Sequence, residues 1–255
     1  IKAEINELQI YDSNGRKAGD PITASDIGWD WTDTLLVSAF SDNGFAVIGD
    51  YGLKIRAAVF RFSADTGLYS LYHTFSLPQA DFWCFVKMFG MKTLGNDMFY
   101  VGYQEVEAPY YMGQPRGKDE YLTYYKVYRC TVDGTYHEII NECPPLFKPI
   151  YEDYKMHVSA MYRTNCFDYE NYWWLYLNYS NVIEYMRYYA YTFKPGIFRS
   201  GKGSLTFFYT YREGEWTDRG NTSTRKITDH IDVFSITDNG AQKTETREIT
   251  IDAVN

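Results

Sequence analysis

Three short clusters in this chain combine flat rings with carboxylates: Trp29-Asp30-Trp31-Thr32-Asp33, Asp81-Phe82-Trp83 and Glu152-Asp153-Tyr154. The chemistry such clusters suit is sugar recognition, because a pyranose face stacks on an aromatic ring while its hydroxyls hydrogen-bond to acids and amides. Trp29, Asp30, Trp31, Asp81, Trp83 and Tyr154 are therefore the candidate ligand-binding residues. The same acids bear on a second chemistry. Glycoside hydrolysis needs two carboxylates about 5 to 10 Å apart, and Asp30, Asp33, Asp81 and Asp153 each stand near the start of a strand-like run. A third group of residues, Tyr110 and Tyr111, follows Pro109 in a polar segment and is the candidate protein contact, since tyrosine joins apolar area to a hydroxyl at low entropic cost.

Little else in the sequence could carry catalysis. His73, His137, His157 and His230 are scattered, and none stands at metal-ligand spacing from another histidine or from Cys84, Cys130, Cys143 or Cys166. No glycine-rich phosphate loop, nucleophile elbow or dinucleotide fingerprint is present. The expectation is a non-catalytic chain that uses no cofactor and no metal. A formal net charge of −8 argues against a phosphate-backbone partner, which needs clustered Lys and Arg. No apolar run approaches the roughly 18 residues of a membrane-spanning helix.

These clusters need elements to hold them, and turn chemistry supplies the outline. From Leu35 to Phe75 four strand-like runs are separated by Asp42-Asn43-Gly44 and Asp65-Thr66-Gly67, which reads as two successive hairpins forming a four-stranded meander. An N-terminal hairpin spans about 5–22, turning at 12–15. Further units read at about 83–140, 157–198 and 204–250, the second turning at Gly95-Asn96-Asp97 and Asp133-Gly134, the last at Gly214 and Asp238-Asn239-Gly240. The insertion 108–120, with two Pro and two Gly, reads as an exposed loop. No long segment spaces its apolar residues by three and four, so helix is expected only as a short turn around 150–155. With 19% aromatic residues the chain suits pleated, half-buried surfaces.

Hairpins alternate between a shorter apolar kind and a longer kind whose last strand is more polar. That alternation resembles the blades of a β-propeller, with an inner pair near an axis and an outer pair facing solvent, at repeats of about 45 to 75 residues. The resemblance implies a single all-β domain over 1–255 with ligand-facing loops where the first strands begin. Ser63-Ala64-Asp65-Thr66-Gly67 also resembles the Ser-x-Asp-x-Gly core of the sialidase Asp-box, although the aromatic expected seven places after Ser63 is replaced by Ser70, with Tyr69 one place early. In that family the box braces a turn at the blade periphery. A β-sandwich is the alternative architecture. The half-unit at the N-terminus and the start at Ile1 fit a piece of a longer or processed chain. The functional expectation is a recognition module for a glycan or a protein, extracellular or surface-exposed. The alternatives are a structural or receptor-binding component of a larger assembly such as a virus or phage particle, and a propeller-type glycoside hydrolase.

Overall fold

A computed structural model describes residues 2–4, 7–11, 14–17, 19–29, 34–41, 44–51, 54–78, 84–107, 110–111, 114–115, 122–144, 195–201, 203–219 and 222–254. Among these the chain is all-β, built on repeated antiparallel four-stranded meanders, and its one helical element is a 3-10 turn at Ser25–Ile27. A small N-terminal sheet is formed by β1 (Lys2–Glu4), β2 (Glu7–Gln9) and β3 (Ile22–Thr23). Sheet 1 then runs in chain order through β4 (Thr34–Ala39), β5 (Gly44–Tyr51), β6 (Lys54–Ser63) and β7 (Leu68–Ser76). Sheet 2 begins with β8 (Cys84–Leu94) and β9 (Met98–Glu107). After the insertion, where β10 (Tyr110–Tyr111) pairs with β11 (Gln114–Pro115), it continues with β12 (Leu122–Thr131) and β13 (Tyr136–Glu142). Sheet 3 comprises β14 (Gly196–Gly201), β15 (Ser204–Arg219), β16 (Thr222–Thr237) and β17 (Gly240–Val254).

Three expectations change at this level. The insertion is a miniature hairpin rather than a loop alone. Gly214 is no turn: β15 runs through it, paired with Ile227, and β16 starts only at Thr222, because a single glycine in an alternating run leaves the backbone ladder intact. Residues 196–198, read from sequence as the end of a third unit, are the first strand of sheet 3. The rest of that third unit, 157–194, and the helical turn at 150–155 lie outside the described residues.

Side-chain alternation explains how the sheets stack. On β5 and β6, Phe45, Val47, Ala58 and Phe60 point one way and pack with Leu8, Ile10, Ile27 and Trp29, while Ala46, Ile48, Ala57 and Val59 point the other way and meet Met88, Met91, Phe99 and Val101 of sheet 2. With both faces covered, the central positions of these two strands are apolar, which is why 45–48 reads Phe-Ala-Val-Ile and 57–60 reads Ala-Ala-Val-Phe, while charged residues such as Lys54 and Arg61 stand toward the strand ends. Sheet 2 repeats the device, turning Tyr100, Tyr125 and Val127 toward Ile197, Leu205, Phe207 and Tyr209 of sheet 3. Sheets 1, 2 and 3 therefore stack face to face in chain order, each covering the next.

The third strand of each four-stranded sheet carries one shared feature. At Val59-Phe60, Val127-Tyr128 and Val233-Phe234 the ladder to the outer strand shifts register, leaving Tyr72, Ile139 and Thr244 as the extra residue of a β-bulge. A bulge sharpens the local twist, and a Val-aromatic pair at the same place in all three sheets marks them as one repeated unit.

Candidate functional site

The first strands of the three sheets lie side by side, and Thr93, buried near the end of β8, ties them together. Its backbone N–H donates to Ser38 Oγ of β4 (3.1 Å), its hydroxyl donates to the Ala39 carbonyl, and its own carbonyl accepts a bond from Arg199 Nη2 of β14 (2.9 Å). Gly90 of β8 faces Ile197 of β14 so closely that an added Cβ would stand 2.4 Å from Ile197 Cγ2, so the approach of the two strands requires a glycine. Residue 38 meets 93 and residue 41 meets 95, while 90 meets 197 and 93 meets 199, so contacts advance in the same sense along both pairs and β4 and β14 each lie parallel to β8. Their first residues, Thr34, Cys84 and Gly196, consequently open toward one common end of the stack.

In sequence, two of the aromatic-acidic clusters stand just before β4 and β8. Asp30, Trp31, Asp33, Asp81, Trp83, Asp153 and Tyr154 lie outside the described residues. Trp29 is described. Its ring is buried with Leu8, Ile10, Ile27, Phe45 and Phe60, and its backbone N–H donates to the Ala24 carbonyl (2.8 Å), so it anchors the approach to β4 and presents no open face. The backbones of Tyr110 and Tyr111 form one arm of the insertion hairpin between β9 and β12. The Ser63–Gly67 segment is the turn between β6 and β7, closed by Gly67 N–H donating to the Ser63 carbonyl (2.9 Å). His73 lies against Gly134 on the outer strand, and His230 is buried, its ring stacked on Tyr211 at 4.5 Å. His157 lies outside the described residues.

Two polar clusters that sequence reasoning did not single out occupy the sheet interfaces. Between sheets 2 and 3, the buried Asp232 carboxylate accepts from Tyr209 Oη (2.8 Å) and Thr246 Oγ1 (2.7 Å) and pairs with Lys243 Nζ (2.7 Å). Burial alone would raise its pKa, but the bonds from Lys243, Thr246 and Tyr209 outweigh that and hold it below the usual aspartate value. The Tyr209 phenol is pushed far up by burial and by its bond to Asp232, so it stays protonated as a donor. Tyr209 stacks flat on Tyr125 (4.7 Å, 6°). Facing sheet 1, Lys126 Nζ and Glu105 Oε2 pair at 2.7 Å, and Tyr128 Oη donates to Glu138 Oε2 (2.8 Å), its phenol raised by burial and by that bond. The signal for Asp232 was present in the sequence: His230, Asp232, Phe234 and Ile236 share one phase of β16, so a carboxylate falls in the buried register.

These clusters hold fixed charges and protonated phenols that tie neighbouring strands within a sheet, β15, β16 and β17 in sheet 3 and β9, β12 and β13 in sheet 2. Among the described residues no three His, Cys, Asp or Glu side chains come close enough to hold a metal ion, and no helix is long and apolar enough to cross a membrane. Cys130 is a fully buried thiol whose pKa burial raises far above the ordinary value. No protein-family model, curated protein or solved structure matches the chain.

Proposed function

We propose that this chain is a non-catalytic recognition module of propeller-like architecture that binds a glycan at the end of the stack where the first strands begin. The observation that supports this reading is the parallel alignment of β4, β8 and β14 around Thr93. The three strands begin at one end, and the sequence segments immediately before β4 and β8 carry Asp30-Trp31 and Asp81-Phe82-Trp83. Trp29 is an anchor rather than a platform in this reading. Trp31 and Trp83 supply the stacking faces, Asp30 and Asp81 the hydroxyl acceptors, and Tyr154 a further ring. Surface exposure to the extracellular medium is the setting that suits such a module.

A glycan array tests the proposal with the intact chain and a Trp31→Ala/Trp83→Ala variant. Each stacking ring is worth about 1 kcal/mol, so the double variant loses roughly tenfold or more in affinity with an unchanged melting temperature. Asp30→Asn and Asp81→Asn, which keep side-chain volume, weaken binding without touching the rings. A wild-type chain that binds no glycan, or variants that bind as well as wild type, overturns the reading. A second reading, a component of a larger assembly, is favoured by one feature of sheet 1, its uncharged outer strand.

A further inference from the structure

The three four-stranded sheets each end on an outer strand with no described strand beyond it, and the three edges differ sharply in charge. β17 carries Lys243, Glu245, Arg247, Glu248 and Asp252, and β13 carries Glu138 and Glu142. Charged side chains on an edge are the usual defence against strand addition, since a pairing partner must bury or oppose them. β7, reading Leu-Tyr-Ser-Leu-Tyr-His-Thr-Phe-Ser over nine residues, has no acidic residue, lysine, arginine or proline. It is also openly apolar along its length: Leu68, Leu71 and Tyr72 are 51%, 42% and 58% exposed, and Phe62 of β6, which packs edge-on to Tyr69 at 5.3 Å, adds 42% exposure on the face it shares with Leu71. The bulge at Tyr72 cannot account for the difference, because β13 and β17 have the same bulge and keep their charges.

We propose that β7 is a homotypic docking edge, onto which a second copy of this chain adds its own β7 in antiparallel register, continuing sheet 1 across a two-fold axis. The occupant follows from the charge pattern. In a two-fold contact the strand is its own partner, so any charged residue near the axis would stand opposite its own kind. β7 alone among the three outer strands carries no Asp, Glu, Lys or Arg to stand opposite itself, and any register whose axis lies away from His73 also keeps that imidazole from its own copy. The net charge of −8 lies elsewhere on the chain, where it is largely screened beyond about 8 Å at physiological ionic strength. An acidic or basic partner segment would find nothing on β7 to complement it. The edge lies at the outer margin of sheet 1, opposite the first strands, so pairing leaves the proposed glycan-facing end open.

Sedimentation velocity of the full chain across micromolar to submillimolar concentrations tests this directly. Wild type forms a dimer in that range. Tyr72→Lys and Leu71→Lys, both at exposed positions the fold tolerates, each weaken the dimer at least about tenfold while the melting temperature of the monomer is unchanged. Ile249→Lys, which adds the same charge at a 56% exposed position of β17, leaves the dimer intact. A wild-type chain that stays monomeric throughout overturns the proposal. So does a dimer that survives both β7 variants, or one that Ile249→Lys disrupts to the same extent.

Discussion

The interface between sheets 1 and 2 and the interface between sheets 2 and 3 join equivalent elements with different chemistry. The first is aliphatic at its centre, where Ala46, Ile48, Ala57 and Val59 meet Met88, Met91 and Val101, and its charged pair Lys126–Glu105 lies toward the insertion. The second mixes stacked rings with Leu94, Val127, Ile140, Ile197, Leu205 and Ile236. Phe207 lies 5.5 to 5.9 Å from the rings of Phe89, Tyr209 and Phe234, Tyr125 stacks on Tyr209, and Asp232, Gln104 and His230 are buried with them. Aliphatic packing closes without directional demands. An aromatic-polar seam also depends on its buried donors and acceptors finding partners, so the second interface should be sensitive both to lost volume and to small chemical changes, and the first only to lost volume.

The largest effect expected is from truncation. Phe207→Ala removes a ring that touches three others and should cost about 3 to 5 kcal/mol, measured by denaturant unfolding. Ile48→Ala in the aliphatic interface should cost about 2 to 4 kcal/mol. Equal values would blur the contrast, and a mild Phe207→Ala would break it.

Next is the charge at the centre of the seam. Asp232→Asn should cost about 2 to 3 kcal/mol because it weakens three bonds at once in a buried site. The sign with pH follows from the lowered pKa: the stabilisation is complete above the carboxylate's unfolded pKa and is lost as pH falls through the lower folded value. Wild type should therefore lose stability in the acid range below an ordinary aspartate's titration, and Asp232→Asn should lose less of it there. Parallel acid profiles for the two chains would remove Asp232 from the account.

Gly90→Ala tests the close approach of β8 and β14. The added methyl meets Ile197, and overpacking of this kind should cost about 1 to 3 kcal/mol. The smallest effects separate paired from unpaired phenols. Tyr209→Phe removes a donor to Asp232 and should cost about 1 kcal/mol, whereas the buried Tyr100 hydroxyl has no hydrogen-bond partner among the described residues, so Tyr100→Phe should be neutral or slightly stabilising.

Much of the fold could be read from turns and runs. Asp65-Thr66-Gly67, Gly95-Asn96-Asp97, Asp133-Gly134 and Asp238-Asn239-Gly240 all fall between paired strands, because Gly and Asx residues serve the tight reversals that flank hairpins. Gly214 misled because a turn residue inside a 16-residue strand has the same local signature as one at its end. What periodicity could not show is pairing at a distance: nothing local in Ser38, Thr93 and Arg199 reveals that they meet. Of the candidate site, the burial of Trp29 was illegible for the same reason, since Leu8 and Phe60 lie far from it in sequence. The Val-aromatic pairs at 59, 127 and 233 were in plain view, but spacings that differ between units hide a repeat from any fixed-period reading.

The proposed glycan site rests on the parallel alignment of the first strands, and a cross-link tests that alignment most directly. Ser38 Oγ and Thr93 Oγ1 lie 3.2 Å apart across β4 and β8, so the two side chains meet and are the positions at which to attempt a disulfide. In the Ser38→Cys/Thr93→Cys chain, mild oxidation followed by peptide mapping should recover a linked peptide joining positions 38 and 93, with no loss of folded structure. Failure of that link to form in the folded chain, or its appearance between either new position and a native cysteine instead, would contradict the alignment and the site built on it.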